Sequence, residues 1–313
     1  MKTLFIVNPK SDFGRSLKTW KKTKSDLRAL GLDAAECITE VPGQATAAAR
    51  QALLEGIPQI VAVGGDGTLS EVVNGYLDQD GRPVNPDARL GLLPSGTGSD
   101  FKKTLGIENL RAGLEAVARD KTRSLDVGRV TYTTGQGAKV SRFFINMVNL
   151  GLGGDVSAFV NEWRDHLPKW VGGQARFSLA ALFALRRYQT TGVNITIDPQ
   201  SHSARSIHAA SNLIVVGNGR FAGGGMLLAP NARPDDGLFD VVITDGAGRL
   251  DVVRELPRIR RGGYIKNPKV SGVRARSVLI ESERPMPLDI DGESEGFTPV
   301  GMTVLPCVIR FAV

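Results

Sequence analysis

The residues best suited to do chemistry sit where an apolar run meets a glycine corner. Residues 60–76, IVAVGGDGTLSEVVNGY, lead a β-branched stretch into Gly64, Gly65 and Gly67 around Asp66, then into a helical pattern. Glycines there permit positive φ and leave main-chain N–H groups uncovered. Thr68 and Glu71 have the T-x-x-E spacing of a capping box, so a helix is expected to start at this point. A helix N-terminus beside bare amides is an anion site, and phosphate is the usual anion. Asp66 is the odd residue, because a carboxylate repels phosphate unless a cation or a proton transfer is involved. Glycines at such a corner also serve as plain turns, and the rest of the chain has to decide.

The elements that position this corner alternate. TLFIV at residues 3–7 reads as a strand, and residues 15–30 as a basic amphipathic helix closed by Gly31. AAECIT is a second strand, residues 45–54 an Ala-rich helix, residues 60–63 a third strand, and RLGLLP a fourth. Apolar strands alternating with helices predict an α/β domain with an open, doubly wound parallel sheet. Ligands of such sheets lie beyond the carboxyl ends of the strands. Three loops fall there: NPKSDFG (8–14), GGDGT (64–68) and PSGTGSDF (94–101).

From about Ser124 the texture changes to short β-rich runs, such as RFFINMVNLGLG, GVNITIDP, GLFDVVITD and MTVLPCVIRF. These predict an antiparallel β-sandwich or barrel, interrupted by one helical insert at residues 175–189. The expected domains are 1–125 and 126–313, with the last strand returning toward the junction.

The 313 residues are 42% hydrophobic and 23% charged, the balance of a globular protein of about two domains. No apolar run reaches the ~18 residues of a membrane span, and MKTLFIV is too short for a signal peptide, so a cytoplasmic protein is expected. The net charge of +7 favours an anionic partner. Residues 254–276 hold eight Lys and Arg against one acid, with too few aromatics for base stacking. A membrane surface fits better than nucleic acid, and a merely solvated face remains open. Cys37 and Cys307 have no metal-like spacing. No G-x-x-x-x-G-K-[ST] and no G-x-G-x-x-G after the first strand is present, which excludes a Walker phosphate site and argues against dinucleotide redox chemistry. His166, His202 and His208 are scattered and support no hydrolytic triad.

Four segments carry a resemblance. GGDGTLSEVVNG, LLPSGTGSDFKKTLGI, GNGRFAGGGMLLAPNARPDDGLFDVVI and LDIDGE resemble, in order along nearly the whole chain, the motifs of the diacylglycerol kinase catalytic family. That family includes bacterial lipid kinases and sphingosine and ceramide kinases. The resemblance implies an ATP-dependent lipid kinase with a nucleotide-binding α/β domain followed by a β-sandwich. It implies ATP contacts at Asn8, Lys10, Thr39, the loop Gly64, Gly65, Asp66, Gly67 and Thr68 with Glu71, and Thr97. Glu293 matches the general base that takes the lipid hydroxyl proton. Asp66, Asp100 and Asp126 match the acidic group that holds Mg²⁺ on the nucleotide, directly or through water. A second, structural Mg²⁺ or Ca²⁺ is implied at the Asp236 carboxylate and the carbonyls of Arg233 and Leu238. Asn218 and Gly219 are expected to shape a turn.

Two departures stand out: Ser99 replaces the usual Asn of the second motif, and Asp12 a common Gly of the first loop. A NAD kinase shares the G-G-D-G-T loop and the sandwich but lacks the PSGTGSDF and FAGGGMLLAPNARPDDG segments. A catalytically silent lipid-binding regulator is the reading from another class. Recruitment of a kinase without an anchor implies reversible contact with an anionic membrane at its inner face, through residues 254–276 or through the insert with Trp163, Trp170, Phe177, Leu182, Phe183 and Leu185. No nucleic-acid partner is expected, and a homodimer is left open.

Overall fold

A computed structural model describes residues 1–14, 16–95, 99–162, 180, 183–186 and 188–313. The chain divides into two compact units, one of Met1–Val127 with Leu305–Val313, the other of Gly128–Val304.

The first unit is a parallel sheet in the order β2 (Asp33–Ile38), β1 (Lys2–Val7), β3 (Gln59–Gly64), β4 (Arg89–Pro94), with Phe311 of the returning chain paired parallel to Leu90 of β4. Every residue of β3 and β4 is buried, as continuous apolar strands covered on both faces must be, whereas β2 at the edge is mostly open. Phe5, Trp20, Leu27, Val61, Val63, Leu93, Leu114 and Val117 form one core, with the Phe5 and Trp20 rings 4.8 Å apart. Helix α2 (Gln44–Leu54) meets α3 (Asp66–Tyr76) at Gly75, where a Cβ would lie 2.3 Å from the Thr46 carbonyl oxygen. The short α4 (Phe101–Leu105) and α5 (Leu110–Ala118) follow, the second capped by Asn109 Oδ1 accepting from Ala112 N at 3.0 Å.

Two local expectations need correction. The first helix is not continuous to Leu30: α1 (Ser16–Thr23) passes into a 3₁₀ turn, Lys24–Asp26. Thr23 and Ser25 hydroxyls there donate to the carbonyls of Thr19 and Lys22, competition that ends helices. Nor does α3 begin with a Thr68–Glu71 box. It starts three residues earlier, at Asp66 with Gly65 as N-cap, and the Glu71 carboxylate accepts instead from Gly43 N (3.1 Å) and Ala45 N (3.2 Å) at the start of α2.

β5 (Thr122–Thr133) leads into the second unit and hairpins with β6 (Lys139–Phe144). That unit is antiparallel, as expected. One ladder runs β14 (Val270–Ala275), β13 (Phe239–Thr244), β10 (Leu213–Gly217), β7 (Met147–Gly151), β16 (Pro287–Ile290) and β17 (Glu293–Ala312). Another runs β9 (Arg205–Ser211), β8 (Thr191–Ile197), β15 (Ser277–Ser282) and β17. Alternate residues of these strands, among them Phe144, Val148, Ile195, Ile214, Phe239, Ile280, Leu288 and Val300, fill a single core. A small pair, β11 (Phe221–Ala222) and β12 (Met226–Leu227), precedes β13.

Two helices of this unit were not read from sequence: α6 (Leu152–Glu162) and α7 (Arg249–Arg260). Gly153 and Gly154 disguise the first as a loop. Gly154 is instead a contact point, where a Cβ would fall 2.4 Å from the Pro287 carbonyl oxygen. Of the expected insert, Trp163, Trp170, Phe177 and Leu182 lie outside the described residues. Leu185 packs with Leu152, Ala184 and Tyr188, and Phe183 stacks on Phe159 at 5.1 Å. No described helix is long and apolar enough to cross a membrane.

Candidate active site

The three loops at the carboxyl ends of β1, β3 and β4 are tied into one rim by hydrogen bonds. Asn8 N donates to Val63 O at 3.1 Å, and Asn8 Nδ2 to Thr68 Oγ1 at 3.2 Å. Asp66 Oδ2 accepts from Asp100 N at 2.8 Å and Asp66 Oδ1 from Phe101 N at 3.1 Å. Ser95 N and Ser99 Oγ both donate to Gly64 O, at 3.0 and 3.1 Å. Ser99 thus has a definite task at its departure from the family pattern. Its hydroxyl holds the end of β3.

The glycines act differently from expectation. None of Gly64, Gly65 and Gly67 has positive φ. A Cβ on Gly64 would come within 2.4 Å of Thr68 Oγ1, so the missing side chain makes room for the first turn of α3. That turn, with Gly65 at its cap and no side-chain cap, faces the rim with its own amides. Asp66 and Asp100 are both buried, and Lys103 Nζ lies 3.8 Å from Asp100 Oδ1.

The remaining residues of the first unit divide by role. Thr39 is buried beside β1, its N donating to Val7 O at 2.9 Å. Lys10 is exposed, and its Nζ donates to Glu40 O at 3.3 Å. Glu71 is committed to the start of α2, as described. Asp126 is fully buried, and its Oδ1 accepts from Cys307 N at 2.8 Å, which anchors the returning chain where Cys307 takes a φ of 56°. Thr97 lies outside the described residues, as does the side chain of Asp12.

In the second unit Glu293 opens β17 opposite Ile290 and is exposed. It follows a tight corner, Asp291 at φ 52° and Gly292 at φ 93°. Two buried aspartates fix that corner. Asp291 accepts from Ile145 N (2.9 Å), Asn146 N (2.9 Å) and Met147 N (3.1 Å). Asp289 accepts from Asn149 Nδ2 (3.1 Å), Gly292 N (3.2 Å) and the Ser157 hydroxyl. Burial, with some help from the Asp291 charge, pushes the Asp289 carboxyl up to about 6. Sequence reasoning missed both aspartates, although their D-x-D spacing before Gly292-Glu293 was there to read. Asn218 shapes a turn, its N and Gly219 N both donating to Asn146 O.

At the carboxylate expected to hold a second cation lies an arginine. Asp236 Oδ2 is 2.5 Å from Arg274 Nη2, and Asp236 Oδ1 accepts from Leu238 N at 3.2 Å. In this structure the Asp236 charge is therefore neutralised by a guanidinium. Among the described residues no three His, Cys, Asp or Glu side chains cluster as metal ligands.

Residues 2–130 match the family model of the diacylglycerol kinase catalytic domain, and residues 146–313 that of the YegS C-terminal NAD kinase beta sandwich-like domain. A diacylglycerol kinase of Staphylococcus haemolyticus is 31% identical over 299 residues, spanning 94% of this chain and 82% of its own. One from Bacillus subtilis is 30% identical over 298 residues, spanning 94% and 90%. A solved structure of a diacylglycerol kinase from Bacillus anthracis superposes with a TM-score of 0.70 at 24% identity, over 99% of this chain and 96% of that one, a likeness of fold.

Proposed function

The chain belongs to the diacylglycerol kinase family, and on that premise we propose that it is a lipid kinase that moves the γ-phosphate of ATP to a lipid hydroxyl with Glu293 as general base. The observation that carries the reading is the rim of the first unit, where Asp66 binds the Asp100 and Phe101 amides beneath the open first turn of α3. Amides at a helix N-terminus attract phosphate, and oriented donors need no reorganisation when charge shifts during transfer. Asn8, Lys10, Thr39 and the loop from Gly64 to Thr68 bind the nucleotide, with Thr97 completing the set. Glu71 serves indirectly, by fixing α2 against α3.

Phosphoryl transfer asks mainly for positioning and neutralised charge. A divalent cation, when bound with the nucleotide, supplies the charge neutralisation between its phosphates. Asp66 and Asp100 are the carboxylates that would hold it; because both Asp66 oxygens already accept amides, contact through water suits that residue. Asp126 is assigned to positioning, since it anchors the chain at Cys307. Glu293 takes the proton of the lipid hydroxyl as the new O–P bond forms and the bond between the β- and γ-phosphates breaks, releasing ADP. The corner built by Asp289 and Asp291 fixes where that carboxylate emerges.

The curated relatives support lipid over NAD as acceptor. The test is a transfer screen with γ-labelled ATP against a lipid extract, NAD and buffer alone. Label in a lipid phosphate is expected. Label in NAD, or in no acceptor, would reject the reading.

A further inference from the structure

Helix α7 displays residues that its own packing leaves unused. Leu250, Val253, Arg254, Pro257 and Arg261 recur at helical spacing and are exposed, while Ile259 is buried and Val252 packs inward against the cluster of Leu152, Ala184 and Tyr188. Leu250 is 69% exposed and Val253 46%, and Tyr264, just past the helix, is 57% exposed. Single exposed apolar residues are unremarkable; Leu250 and Val253 are one turn apart on the same face of a charged helix.

The charges of the segment are sorted as well. Its two acids are both paired, Asp251 with Lys269 at 2.9 Å and Glu255 with Arg258 at 2.6 Å, and Asp251 also accepts from Gly248 N. Arg274 of the same basic stretch is held by Asp236. The solvent side of α7 presents Arg254 and Arg261 flanking Leu250, Val253 and Pro257. An apolar ridge bordered by arginines, with an aromatic at its end, is the residue set of a helix that lies in a lipid interface. Nucleic acid would match the arginines and leave Leu250 and Val253 without purpose.

We infer that this face of α7, with Tyr264, docks the protein on an anionic lipid surface, Leu250 and Val253 entering the headgroup boundary while Arg254 and Arg261 meet lipid phosphates. The inference deepens the lipid-kinase reading and rests on it for its purpose. The docking itself is measurable without any phosphate transfer.

The experiment is co-sedimentation of the full chain, without nucleotide, with vesicles of phosphatidylcholine alone or mixed equally with phosphatidylglycerol. Binding to the mixed vesicles only, weakening with salt, is expected. Each cation near such a surface is worth about fivefold in affinity, so Arg254→Glu with Arg261→Glu should cost at least about 25-fold. Leu250→Ser with Val253→Ser should cost at least about tenfold. All four residues are exposed, so thermal melting should not change; Leu250→Ala with Val253→Ala is the milder pair should the serines disturb it. Arg258→Gln, at a side chain already held by Glu255, should stay within about twofold of the parent.

Vesicle binding by both double variants equal to the parent's would overturn the inference. So would an Arg258→Gln loss as large as that of the Arg254/Arg261 pair, which would mean diffuse attraction. Binding to a DNA oligomer in preference to vesicles, indifferent to the Leu250/Val253 pair, would assign the face to nucleic acid instead. Activity on detergent-dispersed lipid separates the two readings. A parent that binds anionic vesicles but phosphorylates no dispersed lipid refutes the kinase and leaves the docking face, and the converse result does the opposite.

Discussion

The Asp66 carboxylate holds the main-chain N–H of Asp100 at 2.8 Å, and so joins the loop after β3 to the loop after β4. With the second bond to Phe101 N, both its oxygens are engaged by amides. An acid in a corner built for anions thereby has a structural task beside any contact with a cation: its charge is spent on the scaffold as much as on a ligand. Asp66→Asn leaves one oxygen for two donors and turns an NH₂ toward the other. The variant should lose about 1–3 kcal/mol of stability before nucleotide is added, seen as a lower melting temperature. An unchanged melting curve with impaired nucleotide binding would deny the bracing role.

Asp236 and Arg274 make a prediction about metal. Because the guanidinium neutralises the carboxylate, adding or chelating Mg²⁺ or Ca²⁺ should leave the melting of the nucleotide-free protein unchanged. Arg274→Gln removes the internal cation and should make stability depend on the added ion. The reading fails if the parent melts several degrees earlier in chelator.

Asp289 gives a pH dependence whose sign follows from its raised carboxyl, about 6 against an ordinary value of 3.8. The native state keeps this proton over a range where the unfolded chain has lost it. Its contribution is therefore complete below about pH 4 and declines as pH rises through about 6, by on the order of 3 kcal/mol. Asp289→Asn, which cannot ionise, should gain stability relative to the parent between about pH 4 and pH 7. A parent–variant difference that is flat across that range would contradict the assignment.

The fold was legible where burial is two-sided or alternates. β3 and β4 announced themselves as unbroken apolar runs, and the second unit as short strands of period two. α6 did not, because Gly153 and Gly154 read as loop until the close approach of Pro287 explains them. Of the site, the loops were legible and their bonding was not. Glu71 has the spacing of a capping box, yet finds amides 28 and 26 residues earlier, at Gly43 and Ala45. No local pattern encodes such a choice, nor the pairing of Asp66 with residues 34 and 35 positions later. Asp289 and Asp291 were visible as letters, but their roles depend on β7 and α6 being folded beside them.

The central claim is tested most directly by single-turnover transfer from γ-labelled ATP to a dispersed lipid, comparing the parent with Glu293→Gln. Glu293 is exposed at the start of β17, so the variant should fold and bind nucleotide as the parent does. Loss of the base should slow transfer by about 10²–10⁴ with nucleotide affinity unchanged. Transfer within a few-fold of the parent would remove Glu293 from the chemistry and contradict the account.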